Sequence, residues 1–597
     1  MRHFLAFQKR REGMNPNNAR IANVMLLSLV LCWICATAYA SGPKLTFDHN
    51  YTFKEVYAYL NAVVAAYPKI AKLHTIGKSY QGKDLLVLEV TNLDKGKGKK
   101  KPGFWIDGNL HAGEVMGAAV CLKTIESLVS GYGKDPFITD LVDTKTIYIM
   151  PKLNPDGSDH YLTQPDGMRS SVRPHDSDGD GIEDEDPGED LDGDGYITSV
   201  RLKSPWGNMK TSTEDARLMV RRKEDEQGEW LVYSEGIDND GDGRFNEDGV
   251  GGLDINRNWP SRWQQEYIQR GAGRFPLSEP ETRAVAEFLF AHPNITGVIN
   301  HHMAGNFVYR PPTNRWFNPV TGIEEEMPAE DEAVFQMFGD KYSEILNQQP
   351  VRKVYGRGGP PTYGAIWGVM IGWAYDHLGV FSWVPEMGSL APFCDYDQDG
   401  RVTEVEQLKW NDEEMDGRIF IDWKPFDHPQ LGKVEIGGFT RKLYNPNTES
   451  YTSIMCTPNE AYFDFLEKHA RWNLYLVSMS PLIRVTDIKV QAGEAGYFKL
   501  TAEVRNVGFL PTNVTQQAVR NRTARPVKVQ VKLTGATLFS GKEVVDLGHM
   551  RGTTPRSIPP AGIVEWVIKA TGSGRSAVTI EAVSEKGGTH AKTVDLR

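Results

Sequence analysis

The sequence predicts an α/β domain followed by an all-β sandwich, and two observations carry that reading. Up to about Pro481, short apolar runs at Leu85 to Val90, Gly103 to Ile106, Ile147 to Met150, Gly297 to Asn300 and Val380 to Val384 alternate with helical patterns. Beyond Pro481 the texture changes to brief alternating runs, Phe498 to Val504, Val527 to Leu533, Val564 to Ile568 and Ala577 to Ala582, separated by turn residues. Such spacing suits a sandwich of immunoglobulin-like type. At 597 residues the chain is also too long for one ordinary core.

Taken in order, the chain opens with Arg2, Lys9, Arg10, Arg11 and Arg20 ahead of an apolar stretch from Val24 to Cys35 and then Ala38-Tyr39-Ala40. This is the layout of a signal peptide, so residues 1–40 are expected to be removed, the mature protein to begin at Ser41 and to be exported. The long charged leader suggests that translation starts at Met14. Thr52-Phe-Lys-Glu55 reads as a capping box for a helix carrying Val56, Leu60, Val63 and Val64. Lys95 to Lys101 reads as a solvated hairpin loop, and Ser278-Glu-Pro-Glu281 as the cap of a later helix. Only Ser41 to about Asn50 precede the first helix, so no propeptide is expected to cover a site.

The net charge is −11, and loss of the leader, with five Lys/Arg and one Glu, makes the mature chain more acidic still. Nucleic acid and anionic membranes are therefore poor partners, and no internal run is long enough to insert stably in a bilayer. Of five cysteines, Cys32 and Cys35 leave with the leader. Cys121, Cys394 and Cys456 make no disulfide framework, so a metal must be held by His and carboxylates.

His111-Ala-Gly-Glu114 follows the Gly103 strand, where a helix through Val115, Ala119, Leu122 and Ile125 begins. Two ligands three residues apart can share a face, and imidazole with carboxylate suits zinc, but a third ligand is needed. The motif alone is weak. It gains weight from Asn154-Pro-Asp-Gly157, Asp254-Ile-Asn-Arg-Asn-Trp259, Asn300-His-His-Met303 and Val384-Pro-Glu-Met387. With these, residues from about Phe47 to Ser480 resemble the carboxypeptidase A-type family of zinc metallocarboxypeptidases.

The resemblance implies a mixed sheet flanked by helices and a catalytic domain over residues 41–480; the β-rich stretch over 481–597, which carries no His, Asp or Glu constellation suggesting chemistry, reads as an accessory domain. It implies one catalytic zinc on His111, Glu114 and a His after a later strand. His301 and His302 both offer themselves; counting back from Tyr309-Arg-Pro311, which resembles the family's Tyr-Pro, selects His301 and leaves His302 beside the metal or in the pocket wall. Glu386 is implied as the general base on the zinc-bound water, Arg169 as the arginine facing the oxyanion with Arg173 its rival, and Asn256 and Arg257 as the clamp for a substrate's C-terminal carboxylate. Tyr363 resembles the mobile tyrosine that closes over substrate. Three positions depart from the family: Gly113 replaces a frequent Arg, Met303 a frequent aromatic, and the region near Ile371 and Gly372 aligns poorly, with no acidic group to favour basic C-terminal residues.

Acidic repeats lengthen the stretch between Glu114 and His301. Asp176, Asp178 and Asp180 precede Gly181; Asp190, Asp192 and Asp194 precede Gly195; Asp238, Asp240 and Asp242 precede Gly243; and Asp395, Asp397 and Asp399 precede Gly400, with Glu406 at the twelfth position. Each D-x-D-x-D-G is the front half of an EF-hand-like calcium loop. Insertions near 174–249 and 394–420 are thus expected to bind structural calcium and to be poorly ordered without it. The expected function is hydrolysis of C-terminal residues from peptides. The alternatives are a zinc peptidase on cell-wall peptides with non-standard ends, and an inactive calcium-stiffened binding or adhesion protein.

Overall fold

The computed structural model describes residues 42–96, 98–312, 320–324, 326–346, 366–571 and 575–596. The expected signal peptide and Tyr363 lie outside them. A central sheet holds seven strands, β1 (Ala71–Lys78), β2 (Asp84–Val90), β3 (Gly103–Gly108), β4 (Thr146–Met150), β5 (Ile295–Met303), β6 (Phe307–Tyr309) and β7 (Phe381–Met387), in the spatial order β1-β2-β4-β3-β5-β7-β6. Strands β4, β3, β5 and β7 run parallel, and the outer pairings are antiparallel. The sheet is mixed, as expected.

Helices cover both of its faces, so every residue of β3, β4 and β5 is buried. This is why those strands read as continuous apolar runs rather than alternations. On one face lie Phe53–Ala66, capped by the Thr52–Glu55 box, Met116–Gly131 and Glu460–Ser478, contributing Leu60, Leu122 and Trp472 to one core. On the other, Pro280–Ala291 packs Val285 and Leu289 around Trp105, Trp259 and Trp373. Glu279 rather than Ser278 occupies the cap position of that helix and makes no side-chain cap bond; Asn258 accepts from its backbone N–H instead, at 3.1 Å.

The Lys95 to Lys101 segment is not a hairpin loop. β4 lies between β2 and β3, so the segment crosses over a strand and forms short 3₁₀ turns. Lys101 is buried, its ammonium donating to Thr91 Oγ1 at 2.9 Å and to the Asn92 carbonyl at 2.6 Å.

β3 ends against the helix that follows it. A Cβ on Gly108 would lie 2.4 Å from the carbonyl carbon of Gly117. Neither backbone can give way without moving the turn between them, which carries His111 and Glu114. Gly108→Ala is therefore expected to cost about 1–3 kcal/mol or more, read as a lowered thermal midpoint with reduced zinc retention.

The insertions contain regular structure of their own. Ser199–Lys203, Met209–Thr211, Met219–Arg221 and Trp230–Ser234 join Phe420–His428 and Gly432–Phe439 in a second, six-stranded antiparallel sheet. Arg217 braces it, reaching Asp412 at 2.9 and 2.6 Å.

The C-terminal stretch forms two four-stranded sheets around a core including Leu500, Val529, Trp566 and Ile580. It docks on the first domain by adding Leu510 and Val514 to that domain's core and through polar contacts. Asp331 accepts from the backbone N–H groups of Gln516 and Gln517 at 2.8 and 3.1 Å, and buried Lys586 donates to the Ile295 carbonyl at 2.7 Å. Among the described residues no helix is long and apolar enough to cross a membrane.

Candidate active site

His111 and Glu114 lie in the turn after β3 rather than on the helix, which begins at Met116; the Glu114 N–H donates to the His111 carbonyl at 3.1 Å. The turn brings His111 Nδ1 to 2.7 Å from Glu114 Oε1. The third member is His302. Its Nδ1 lies 2.8 Å from Glu114 Oε2 and 3.0 Å from His111 Nδ1.

His301, the expected ligand, is on the opposite face. Adjacent residues of a strand point to opposite sides of the sheet, and His301 Nε2 faces Asn473 of the Glu460–Ser478 helix at 3.1 Å. Burial holds its pKa well below the ordinary histidine value. Counting back from Tyr309 failed because it crosses a tight turn in which Ala304 and Asn306 take positive φ. Burial could not arbitrate, since the whole strand is buried.

Two imidazole nitrogens and two carboxylate oxygens converge with contacts of 2.7 to 3.0 Å. Two donors each ~2.0–2.1 Å from a tetrahedral zinc would lie about 3.3 Å apart, so this donor set fits zinc with slight expansion. Outer contacts fix both rings. His111 Nε2 meets Asp254 Oδ1 at 3.1 Å, and His302 Nε2 meets Asn300 Oδ1 at 2.6 Å. Asp254 and Asn300 stand within the sequence motifs, and nothing in the local pattern marks their role; here a carboxylate and an amide oxygen lie behind the two imidazoles and hold their orientation.

Arg169 is the arginine at the cluster, its Nε on Asp254 at 3.1 Å and an Nη on Glu114 at 3.2 Å. Arg173 points elsewhere, paired with buried Glu279 at 3.0 Å and stacked on Tyr80. Asn256 accepts from the Met370 N–H at 3.0 Å and turns its amide nitrogen toward His302 Nε2 at 3.3 Å. Arg257 donates to the Asn256 carbonyl at 2.7 Å. Glu386 on β7 is in register with His302 on β5, so their side chains share a face. Burial and nearby Glu114 push its carboxyl well above the ordinary range, against the pull of Arg169 and Arg257.

His111, Glu114, His302, Arg169, Asn256, Arg257 and Glu386 line one cavity of about 200 Å³, whose remaining wall includes Ile366, Val369, Ile371 and Val384. A Cβ at Gly113 would lie 2.9 Å from the Met168 carbonyl oxygen, which leaves no room for the arginine frequent at this position in the resembled family.

Residues 56–394, more than half of the chain, match the family model described as zinc carboxypeptidase. The chain belongs to the zinc carboxypeptidase family. Residues 482–595 match a domain of unknown function, DUF8731. Mouse carboxypeptidase M is 40% identical over 127 residues, 21% of this chain and 28% of that protein. Human carboxypeptidase A5 is 24% identical over 342 residues, 56% of this chain and 59% of that one. Mouse carboxypeptidase D is 36% identical over 109 residues, 18% of this chain, so the chain spans only 8% of the length of that relative. Among solved structures, thrombin activatable fibrinolysis inhibitor aligns with 58% of this chain and 71% of its own at 20% identity, with a TM-score of 0.37.

The four acidic loops share one conformation. The first Asp of each accepts from the N–H of the sixth-position glycine, Asp176 from Gly181 at 3.0 Å, Asp190 from Gly195 at 2.8 Å, Asp238 from Gly243 at 3.0 Å and Asp395 from Gly400 at 3.0 Å. These glycines have φ between +83° and +102°, which a Cβ would disfavour. Among the described residues, carboxylates gather close enough to hold an ion at Asp178 and Asp180 with Glu185, at Asp190, Asp192 and Asp194, and at Asp240 and Asp242 with Glu247. The second already holds a cation, Lys424 at 2.8 Å from Asp192. In the fourth, Glu406 is drawn into a helix cap, accepting from the Tyr396 and Thr403 N–H groups at 2.9 Å each.

Proposed function

We propose that the protein is a zinc metallocarboxypeptidase that removes single residues from free peptide C-termini, with a preference for apolar ones. The observation that carries this reading is the convergence of His111, Glu114 and His302 with Arg169, Arg257, Asn256 and Glu386 on one cavity. His111, Glu114 and His302 would hold the zinc. Zinc so held supplies a Lewis acid for the scissile carbonyl and lowers the pKa of a coordinated water toward about 7.

The chain's own groups do the rest. Arg257, with the free hydrogen of the Asn256 amide, receives the substrate's terminal carboxylate as a planar fork receives two oxygens. Arg169 faces the carbonyl oxygen as negative charge develops on it. Glu386 takes a proton from the attacking water and returns it to the leaving amine. Ile366, Val369, Ile371 and Val384 offer the terminal side chain an apolar wall, and among the described lining residues the acidic groups are Glu114 and Glu386, both committed to the chemistry.

Arg257→Ala should remove about 2–5 kcal/mol of carboxylate binding, roughly 30- to 5,000-fold in kcat/KM, carried mainly by KM. The decisive assay incubates the zinc-loaded protein with peptides bearing free or amidated C-termini and reads products by mass spectrometry. Single residues lost only from free ends are expected. No trimming by zinc-loaded protein would overturn the reading and favour a cell-wall substrate or a display role.

Structural calcium in the acidic loops belongs to the same proposal, supported by their shared geometry. So does export after cleavage near Ala40, which N-terminal sequencing of the mature protein tests.

A further inference from the structure

The loops beginning at Asp176 and Asp238 are separated in sequence by the inner strands of the insertion, yet they meet. Asp186 and Asp248, each eleventh in its own loop, form an antiparallel bridge, with the Asp186 N–H on the Asp248 carbonyl at 3.1 Å. The contacts are reciprocal. Ser177, second in the first loop, donates its N–H to Asp248 Oδ2 at 3.1 Å; Asn239, second in the second loop, donates to Asp186 Oδ1 at 3.2 Å. The two loops are thus related by an approximate two-fold axis.

Carboxylates cross that axis. Asp248 of the second loop joins Asp176 and Asp178 of the first, their oxygens within 4.8 Å of one another, and Asp178 of the first joins Asp240, Asp242 and Glu247 of the second. An independent observation concerns buried carboxylate oxygens of this arrangement that have no donor among the described residues. Asp248 is 0% exposed and its Oδ1 has no hydrogen-bond partner; both carboxylate oxygens of Glu185 and Oε2 of Glu247 are likewise buried and unpartnered. Burial, with Asp248 alongside, pushes Glu185 up to about 7, and burial with Asp186 does the same to Glu247. A buried carboxylate oxygen facing other carboxylates, with no donor, is costly unless a cation sits among them. Lys424 plays that part in the Asp190 loop; here the cationic side chain recorded is Arg244, largely exposed and 3.6 Å from Asp242.

We infer that the two loops form one reciprocal clasp for a pair of calcium ions, in which Asp248 completes the first loop's site and Asp178 is shared between both. The inference rests on the reading of these loops as calcium-binding and adds that neither site is complete without the other loop. Hard oxygen donors with flexible geometry and no nitrogen or sulfur suit calcium.

The clasp closes the insertion at its stem. The first loop starts seven residues after Arg169 and the second ends six before Asp254. Between clasp and active site the two chain segments are tied together, Ser171 N–H to the Leu253 carbonyl at 3.0 Å, and His175 and Gly251 N–H groups to Asp184 Oδ1 at 3.1 and 2.9 Å. Calcium at the clasp thereby fixes the spacing of Arg169 and Asp254.

The test measures bound Ca²⁺ by equilibrium dialysis and elemental analysis on the full zinc-loaded chain, with zinc content as the check on folding. Asp176→Asn and Asp248→Asn are each expected to lose the same single ion, and the double variant no more than either alone. Asp178→Asn should weaken both ions by on the order of tenfold or more; because Asp178 is exposed, this variant keeps the test decisive if Asp248→Asn fails to fold. Additive loss of two ions in the double variant, or loss of only one affinity in Asp178→Asn, would overturn the shared clasp while leaving calcium binding intact. A wild-type chain that binds no calcium would overturn both.

Discussion

Glu386→Gln is expected to lower kcat/KM by about 10²–10⁴-fold while bound zinc stays unchanged. The amide is nearly isosteric and keeps the strand register that sets Glu386 beside His302. It cannot accept a proton from water or return one to the leaving amine. Zinc retention is expected because His111, Glu114 and His302 form the cluster without Glu386. Turnover near the wild-type rate would refute the base assignment, and loss of zinc would show that Glu386 is part of the metal's own support. The neutral amide also spares the cost of burying a carboxylate, which is the main cause of the raised Glu386 carboxyl, and the lesser repulsion from Glu114, so the folded state should not suffer.

His302→Ala is expected to lose both zinc and activity, whereas His301→Ala keeps zinc. The first change removes an Nδ1 lying 2.8 Å from Glu114 and 3.0 Å from His111. Its effect on zinc affinity should exceed the 10–100-fold typical of losing a mere outer partner. The second removes a ring packed at 3.1 Å from Asn473 on the far side of the sheet. That deletion leaves a buried amide short of a partner and a small cavity, costing about 1–3 kcal/mol of stability. Elemental analysis with thermal unfolding on the two variants distinguishes them; the reverse pattern would return the ligand role to His301.

This pair of histidines marks the boundary of what could be read from the chain. The motif His111-Ala-Gly-Glu114 named two members of the cluster, because a three-residue separation fits one turn whether or not it is helical. The choice between His301 and His302 turned on the path of the Ala304–Asn306 turn, which depends on pairing between β6 and β7. Arg169 was separable from Arg173 only once Glu279 and Tyr80 were seen to occupy the latter. The Lys95 to Lys101 segment misled for a related reason. A charged, glycine-rich run gives no sign that another strand will lie between its neighbours, or that Lys101 will bury its ammonium against the Thr91 hydroxyl and the Asn92 carbonyl.

The acidic loops were legible one at a time and illegible as a pair. D-x-D-x-D-G spacing dictates a local turn, with the first Asp taking backbone N–H groups and glycine supplying positive φ. It says nothing of the pairing of Asp186 with Asp248 that brings the first loop against the second. The sequence by itself determined the interleaved helices and strands, the β-sandwich, the residue types able to hold zinc and the turn within each acidic loop, because those follow from periodicity and short-range hydrogen bonding. Tertiary structure alone decided which histidine faces Glu114, which arginine reaches the site, that Asp254 backs His111, and that two distant loops share carboxylates. Those outcomes are set by long-range strand pairing and by which face each buried side chain takes, and when both faces are buried the local pattern carries no record of the choice.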